Sequence, residues 1–344
     1  MTLIYFIFVL GVTIMVHEFG HFLFAKKAGI YVYEFSLGMG PRIFHFKRKN
    51  DETVYAIRLF PIGGFVSMAG EDLEADASIP TDKQMCNKPW LQRFMTIIAG
   101  VLFNFLLAII LLFVVALFNG APISKPYIDT LEADYPIADT EITSGDLVTK
   151  INGKKISSMD RLLLELQIHT GKTLQITVKH TNGEVETVSV NPIFIEEDGV
   201  YRYGFTLSND IKHGFLPAIQ YVFTKTGSLV EQMTLIIGYL FTGKLSLDNL
   251  AGPVGIFNIV GETAKTGFLN LLYLIAYLCI NVGFINFIPL PAFDGGRLLF
   301  LIIEKIKGSR VSPKVENMVH SIGFMLLMIL MVFITYHDII RLFH

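Results

Sequence analysis

The sequence is short of charge, of cysteine and of tryptophan. Only 17% of its 344 residues are Asp, Glu, Lys or Arg, where an ordinary soluble domain carries about a quarter. A soluble chain of this length would need more charged surface, and disorder, collagen and coiled coil are excluded by the same shortage. No sign of charge dominates: 28 Lys and Arg stand against 30 Asp and Glu, a net charge of −2. Such a balance provides no basic field for nucleic acid. Two cysteines, Cys86 and Cys279, make neither a disulfide framework nor a CxxC zinc site. Cys279 sits in an apolar run, where it reads as packing. There is one Trp, but 29 Phe, and 52% of residues are hydrophobic. The composition is that of an integral membrane protein with one modest polar portion.

Crossing a bilayer core takes about 20 mainly apolar residues, and four stretches meet this. Thr2 to Ala25 is interrupted only by His17, Glu18 and His21; Phe94 to Asn119 and Gly267 to Phe293 hold no charge; Asn317 to Tyr336 holds only His320. The first is not a signal peptide, since no basic n-region precedes it and no small-residue cleavage pattern follows. A fifth stretch, Gly214 to Gly243, is interrupted by Lys225 and Glu231, and reads as an amphipathic helix at the interface. Short-loop Lys and Arg set orientation. Lys26, Lys27, Arg42, Lys47, Arg48 and Lys49 follow the first span, and Arg297, Lys305, Lys307, Arg310 and Lys314 lie between the third and fourth. Both termini are therefore expected outside.

From about Lys125 to Leu207 the chain turns polar and strand-rich. Leu174–Val178 and Val185–Val190 alternate apolar and polar about Asn182-Gly183, a hairpin signal. Asp160 to Gln167 reads as a short helix with Ser157 or Ser158 near its start. This is a small α+β module on the external side.

The chemistry is concentrated in His17-Glu-Phe-Gly-His21, an HExxH motif. On a helix, positions i and i+4 share a face about 6 Å apart, so both imidazoles can meet one metal ion with Glu18 beside a water. A histidine pair with an internally bonded Glu18 is the bland alternative, but two imidazoles and a carboxylate in an apolar span need partners. Zinc in a hydrolytic site takes three protein ligands, so a third must come from elsewhere. The third span ends Asn286-Phe-Ile-Pro-Leu-Pro-Ala-Phe-Asp294-Gly-Gly. Its prolines break the helix, and Asp294-Gly-Gly reads as a turn aiming a carboxylate inward, or as a plain helix end with a capping Asp. If Asp294 is a ligand, parity excludes a crossing at 214–243, which would put it at the opposite membrane face.

HEFGH with NFIPLPAFDGG resembles the site-2 protease family of intramembrane zinc metallopeptidases, in particular its bacterial branch with a module between spans two and three. The resemblance covers essentially the whole chain. It implies zinc held by His17, His21 and Asp294, Glu18 as catalytic glutamate, and Asn281 and Asn286 beside the substrate strand. Leu250-Ala-Gly-Pro-Val-Gly-Ile256 is similar to the family's GPVGI segment. Ser144-Gly-Asp-Leu-Val148 through Ile151-Asn-Gly153 is similar to a PDZ domain. Three departures stand out: Phe293 where Leu usually precedes the Asp, Glu141 where PDZ relatives have Gly, and room for a single PDZ-like unit between Pro122 and Leu207, as in the family's shorter members. Val54–Phe60 and Gly64–Met68, flanking Pro61-Ile-Gly-Gly64, read as a hairpin. By resemblance it re-enters the membrane near the site, where Gly63, Gly64, Phe65 and Val66 would bind substrate by β-addition; a hairpin without substrate contact is the alternative.

The expected fold is thus a polytopic α-helical membrane protein with four transmembrane helices, an inserted α+β PDZ-like domain and a membrane-associated β-hairpin. In sequence order these are a first helix over 1–25, a cytoplasmic loop over 26–90 with the hairpin at about 52–70, and a second helix over 91–119. An extracytoplasmic PDZ-like domain over 122–208 and a connector over 209–266 with the interfacial helix follow. A third helix over 267–296, a cytoplasmic loop over 297–316 and a fourth helix over 317–337 complete the chain. The resemblance implies a multi-pass protein of a bacterial plasma membrane that cuts single-span proteins, such as anti-sigma factors or remnant signal peptides, after an upstream site-1-type protease. Two other classes fit parts of the pattern: a non-catalytic scaffold, against which the intact Glu18 counts, and a transporter, against which the lack of an internal repeat counts.

Overall fold

A computed structural model describes residues 1–71, 76–247 and 250–341, with the side chains of Pro61 and Ile62 also left aside. The turn residues Pro61 and Ile62 of the expected hairpin therefore enter by backbone only. The chain begins with α1 (Thr2–Lys27), β1 (Val32–Lys47), β2 (Val54–Met68) and α2 (Trp90–Asn119). Then come β3 (Ala121–Pro122), β4 (Ile128–Leu131), β5 (Leu147–Ile151), β6 (Lys154–Lys155), α3 (Met159–Ile168), β7 (Leu174–Lys179) and β8 (Val185–Val190). Next are β9 (Ile193–Ile195), β10 (Val200–Arg202), β11 (Phe205–Leu207), β12 (Ile211–Lys212) and α4 (Phe215–Phe241). The chain closes with α5 (Pro253–Thr266), α6 (Phe268–Phe287), α7 (Asp294–Lys307) and α8 (Pro313–Arg341). Among the described residues α1, α2, α6 and α8 are the four helices long and apolar enough to cross a membrane. The chain divides into two compact units, Met1–Leu112 with Leu247–His344, and Phe113–Ser246.

In the second unit β6-β5-β7-β8 form a four-stranded sheet over a core that includes Ile128, Ile137, Ile151, Leu162, Leu174, Ile176 and Val178. β7 and β8 pair from Leu174↔Val190 to Lys179↔Val185, with Gly183 at φ +96° in the turn, as its sequence suggests. Ser158 caps α3, its Oγ accepting from the Arg161 N–H at 3.2 Å. The amphipathic stretch is one 27-residue helix, α4, and it belongs to this unit rather than to a separate connector. It packs on α3, where Asp160 accepts from Lys225 Nζ at 2.6 Å and Glu231 from Ser157 Oγ at 2.6 Å.

The first unit holds the two halves of the expected chemistry. α1 packs against β2, α5 and α6, and Gly20 lets it lie directly on the Ala99 backbone of α2, where any Cβ would collide. A cluster of Ala25, Ile30, Val32, Val66, Met68, Ile97, Leu298 and Leu301 ties α1, both strands, α2 and α7 together. The Trp90 indole N–H donates to Leu301 O at 2.7 Å, and Arg93 pairs with Glu304 at 2.9 Å.

The strands depart from the sequence expectation. Val54–Phe60 and Gly64–Met68 do not pair with each other: they are one continuous strand, β2, and both parts pair with β1. Gly64–Met68 lies against Val32–Leu37, and Val54–Arg58 against Arg42–Lys47, with residues 54–57 also registering on 34–37. Gly38, Gly40 and Gly63, all at positive φ, supply the bends that let two long strands fold over each other. At the third span, α6 ends at Phe287 and the residues that read as an Asp-Gly-Gly turn are instead the first turn of α7. The left-handed backbone sits two residues earlier, at Ala292 with φ +76°.

Candidate metal centre

His17 and His21 stand one turn apart on α1, both buried. Their Nε2 atoms are 3.2 Å apart, and Asp294 Oδ2 lies 3.1 Å from the first and 3.2 Å from the second. Tetrahedral ligands on an ion with bonds of about 2.0 Å are separated by roughly 3.3 Å, so the triangle has the size of one face of a zinc site. Among the described residues these three form the group of His, Cys, Asp and Glu able to hold a metal.

The outer ring nitrogens fix what points inward. His21 Nδ1 lies 2.8 Å from Thr96 O; a carbonyl only accepts, so Nδ1 carries the proton and Nε2 keeps its lone pair. His17 Nδ1 lies 3.3 Å from the Asn104 amide. A half-turn of that amide presents Oδ1, buried without a partner as it stands, and gives His17 the same tautomer. Two imine lone pairs and a carboxylate then converge with no proton between them, and Asp294 Oδ2 likewise finds no hydrogen-bond donor. A divalent cation fits that donor set, and the outer bonds are those that orient metal-binding histidines.

Thr96, Gly100 and Asn104 escaped the sequence reading. They lie at successive i, i+4 positions on one face of α2. Gly100 leaves space for the imidazoles, since a Cβ there would fall on both rings. The available signal was Asn104 itself, an amide in the interior of a charge-free span.

Asp294 opens α7, and the two glycines behind it serve close approach. A Cβ at Gly295 would strike the Phe287 and Ile288 carbonyls, and one at Gly296 the Leu290 carbonyl. The loop between α6 and α7 is thus laid over the first turn of α7, which aims the carboxylate at α1.

The three groups and Glu18 open into a cavity of about 350 Å³, lined also by Ile14, Phe65, Val66, Met68 and Asn286. Arg297 and Glu71, an ion pair, complete part of its wall. Asn286 donates to Val282 O at 3.0 Å. Asn281 is not among the lining residues, and its Oδ1 is buried without a partner; residues five apart on a helix point about 140° away from each other. Gly63 is a bend beside Met39, whereas a Cβ on Gly64 would meet Glu18 Cγ at 3.4 Å. Residues 64–67 pair with β1 on one side only, so among the described residues a free strand edge borders the cavity next to Glu18.

The sequence and the fold were also compared with known proteins. The chain is 34% identical to the zinc metalloprotease RasP of Bacillus licheniformis, with 99% of each chain covered. It is 33% identical to the regulator of sigma-W protease RasP of Bacillus subtilis, again over 99% of each. A PDZ domain from an SdrC-like protein of Listeria monocytogenes is 28% identical over 27% of this chain and 96% of that one, with a TM-score of 0.23. Residues 5–330 match peptidase family M50. The chain belongs to that family, and it is a membrane zinc metalloprotease.

Proposed function

We propose that His17, His21 and Asp294 hold the zinc ion, that Glu18 is the general base, and that the substrate is a transmembrane segment cut within the membrane. The observation that carries this reading is the 3.1–3.2 Å triangle opening, with Glu18, into a cavity bordered by a free strand edge. Held by His17, His21 and Asp294, zinc would supply Lewis acidity to polarise a peptide carbonyl and acidify water. Glu18, one residue along from His17 and lining the cavity, would take a proton from the attacking water and return it to the leaving amine. A helical substrate must first unwind, and its freed backbone groups need partners at membrane depth. The 64–67 edge offers a row of them, and Asn286 adds a side-chain amide. Gly64 holds this edge close to Glu18, so a docked strand would run past the base.

The substrates are single-span proteins already trimmed outside by a site-1-type protease, with anti-sigma factors and remnant signal peptides as the classes. The name of the Bacillus subtilis relative, a regulator of sigma-W, supports the first. The short-loop Lys and Arg support a reading in which both termini lie outside a bacterial plasma membrane. The inserted module then faces outward and screens bulky substrates, so deleting residues 125–207 should admit untrimmed ones. An unchanged preference for trimmed stubs would remove that role.

Glu18→Gln tests the central assignment. The purified variant should keep its zinc while cleavage of a single-span substrate falls by about 10²–10⁴-fold. Retained zinc with normal cleavage would overturn the assignment of the base.

A further inference from the structure

α8 has few neighbours. Apart from Ile334 and Asp338, its described side chains are half-buried or exposed, as suits a helix facing lipid. Two of its contacts involve buried or half-buried polar side chains. Near its end, the buried Asp338 accepts from the Gly255 N–H at 2.8 Å, at the start of α5. Near its beginning, His320 reaches the loop between α6 and α7, and nothing in the reaction described above uses it.

That loop can be accounted for donor by donor. The Ile288 N–H goes to Phe284 O and Ile285 O, the Leu290 N–H to Ile288 O at 2.7 Å, and the Phe293 N–H to Leu290 O at 3.4 Å. Pro289 and Pro291 have none. The one N–H left, that of Ala292, donates to His320 Nδ1 at 3.2 Å. Ala292 is also the residue at φ +76°, a region that a side chain with a Cβ rarely adopts and that surrounding structure must hold in place. The two neighbouring contacts are equally close-fitted. Gly323, one turn on from His320, accommodates Pro291, where any Cβ would overlap the ring, and Gly296 faces His320 Cε1.

We propose that His320 is a positioning residue for Asp294: by accepting from Ala292 it holds the strained backbone two residues before the carboxylate, and so sets where that carboxylate meets His17 and His21. This rests on Asp294 being a metal ligand. His320 acts through the loop, since it neither lines the cavity nor belongs to the ligand group. With Nδ1 accepting, its proton is on Nε2, which is buried with no partner among the described residues. An apolar residue would suit a lipid-facing helix better, so the acceptor at Nδ1 is what the imidazole contributes.

The test uses the full chain purified in detergent, with zinc affinity measured against a competing chelator and the visible spectrum of the cobalt-substituted protein as a second readout. His320→Leu should weaken zinc binding about tenfold or more and shift the cobalt bands. His320→Asn, whose Oδ1 can stand where Nδ1 does, should bind zinc within about twofold of the parent. Ala292→Gly, added to His320→Leu, should restore affinity, because glycine adopts that φ unaided. A His320→Leu protein with unchanged affinity and spectrum overturns the proposal. Equal losses in the Asn and Leu variants overturn it too, since packing would then be the cause. Asp294→Ala separates the two levels: unchanged zinc affinity there removes the ligand assignment and this proposal with it, whereas a loss there beside an unaffected His320→Leu removes this proposal alone.

Discussion

The amide of Asn104, on α2, lies 3.3 Å from Nδ1 of His17, on α1, at the nitrogen opposite the one that faces Asp294. The helix that carries HExxH therefore does not orient its own first histidine; a neighbouring span does. His21 is held the same way by the Thr96 carbonyl.

Asn104→Leu should therefore weaken zinc affinity by about 10–100-fold, as loss of an outer-shell partner does elsewhere. Asn104→Asp keeps an acceptor for the Nδ1 proton and should bind zinc more tightly than the Leu variant. Chelator competition on the purified proteins measures both. Equal affinity of the parent and Asn104→Leu would mean that α1 alone sets the imidazole.

The edge of β2 gives a prediction with the opposite signature. A methyl group on Gly64 would stand 2.9 Å from Ser36 O and 3.4 Å from Glu18 Cγ, so Gly64→Ala must shift the strand against Glu18. Zinc content should be unchanged while cleavage falls, on the order of 10²-fold for an ångström-scale misplacement. Normal turnover in this variant would place the substrate strand elsewhere.

How far these features could be read in advance varies with the range of the interactions. His17, Glu18 and His21 were legible because helical periodicity alone brings them together. Asp294 was legible because two prolines and two glycines mark a break in an apolar run. The details of that break were not: the glycines permit carbonyls to pass over α7 rather than forming a turn, and the left-handed residue is Ala292, which no propensity would select. β1 was hidden because Gly38-Met-Gly-Pro41 interrupts its alternation and because its partner lies across two bends. Asn281 and Asn286 look alike in sequence, and only the rotation of α6 distinguishes the one at the cavity. The packing of α4 on α3 brings Lys225 to Asp160 and Glu231 to Ser157 across 65 and 74 residues, which no local pattern reports.

The inserted module carries a pH dependence of its own. His180 lies between two carboxylates, Nδ1 at 2.8 Å from Asp146 Oδ2 and Nε2 at 3.3 Å from Glu186 Oε2. Desolvation lowers its pKa, but the hydrogen bond and charge of Asp146, followed by those of Glu186, outweigh this and raise it above the ordinary histidine value. Asp146 is itself buried and also accepts from the Thr143 N–H at 2.7 Å, which holds the carboxylate in place beside the imidazole. A folded-state pKa above the unfolded one, about 6.5, means that the folded form binds the proton more tightly. The contribution to stability is then complete below about pH 6.5 and is lost as pH rises through the folded value. The thermal midpoint of the full chain's module should fall as pH rises above about 6.5, relative to a His180→Gln variant, whose residue 180 cannot titrate. Parallel pH profiles for the two proteins would show that the proton on His180 does not stabilise the fold.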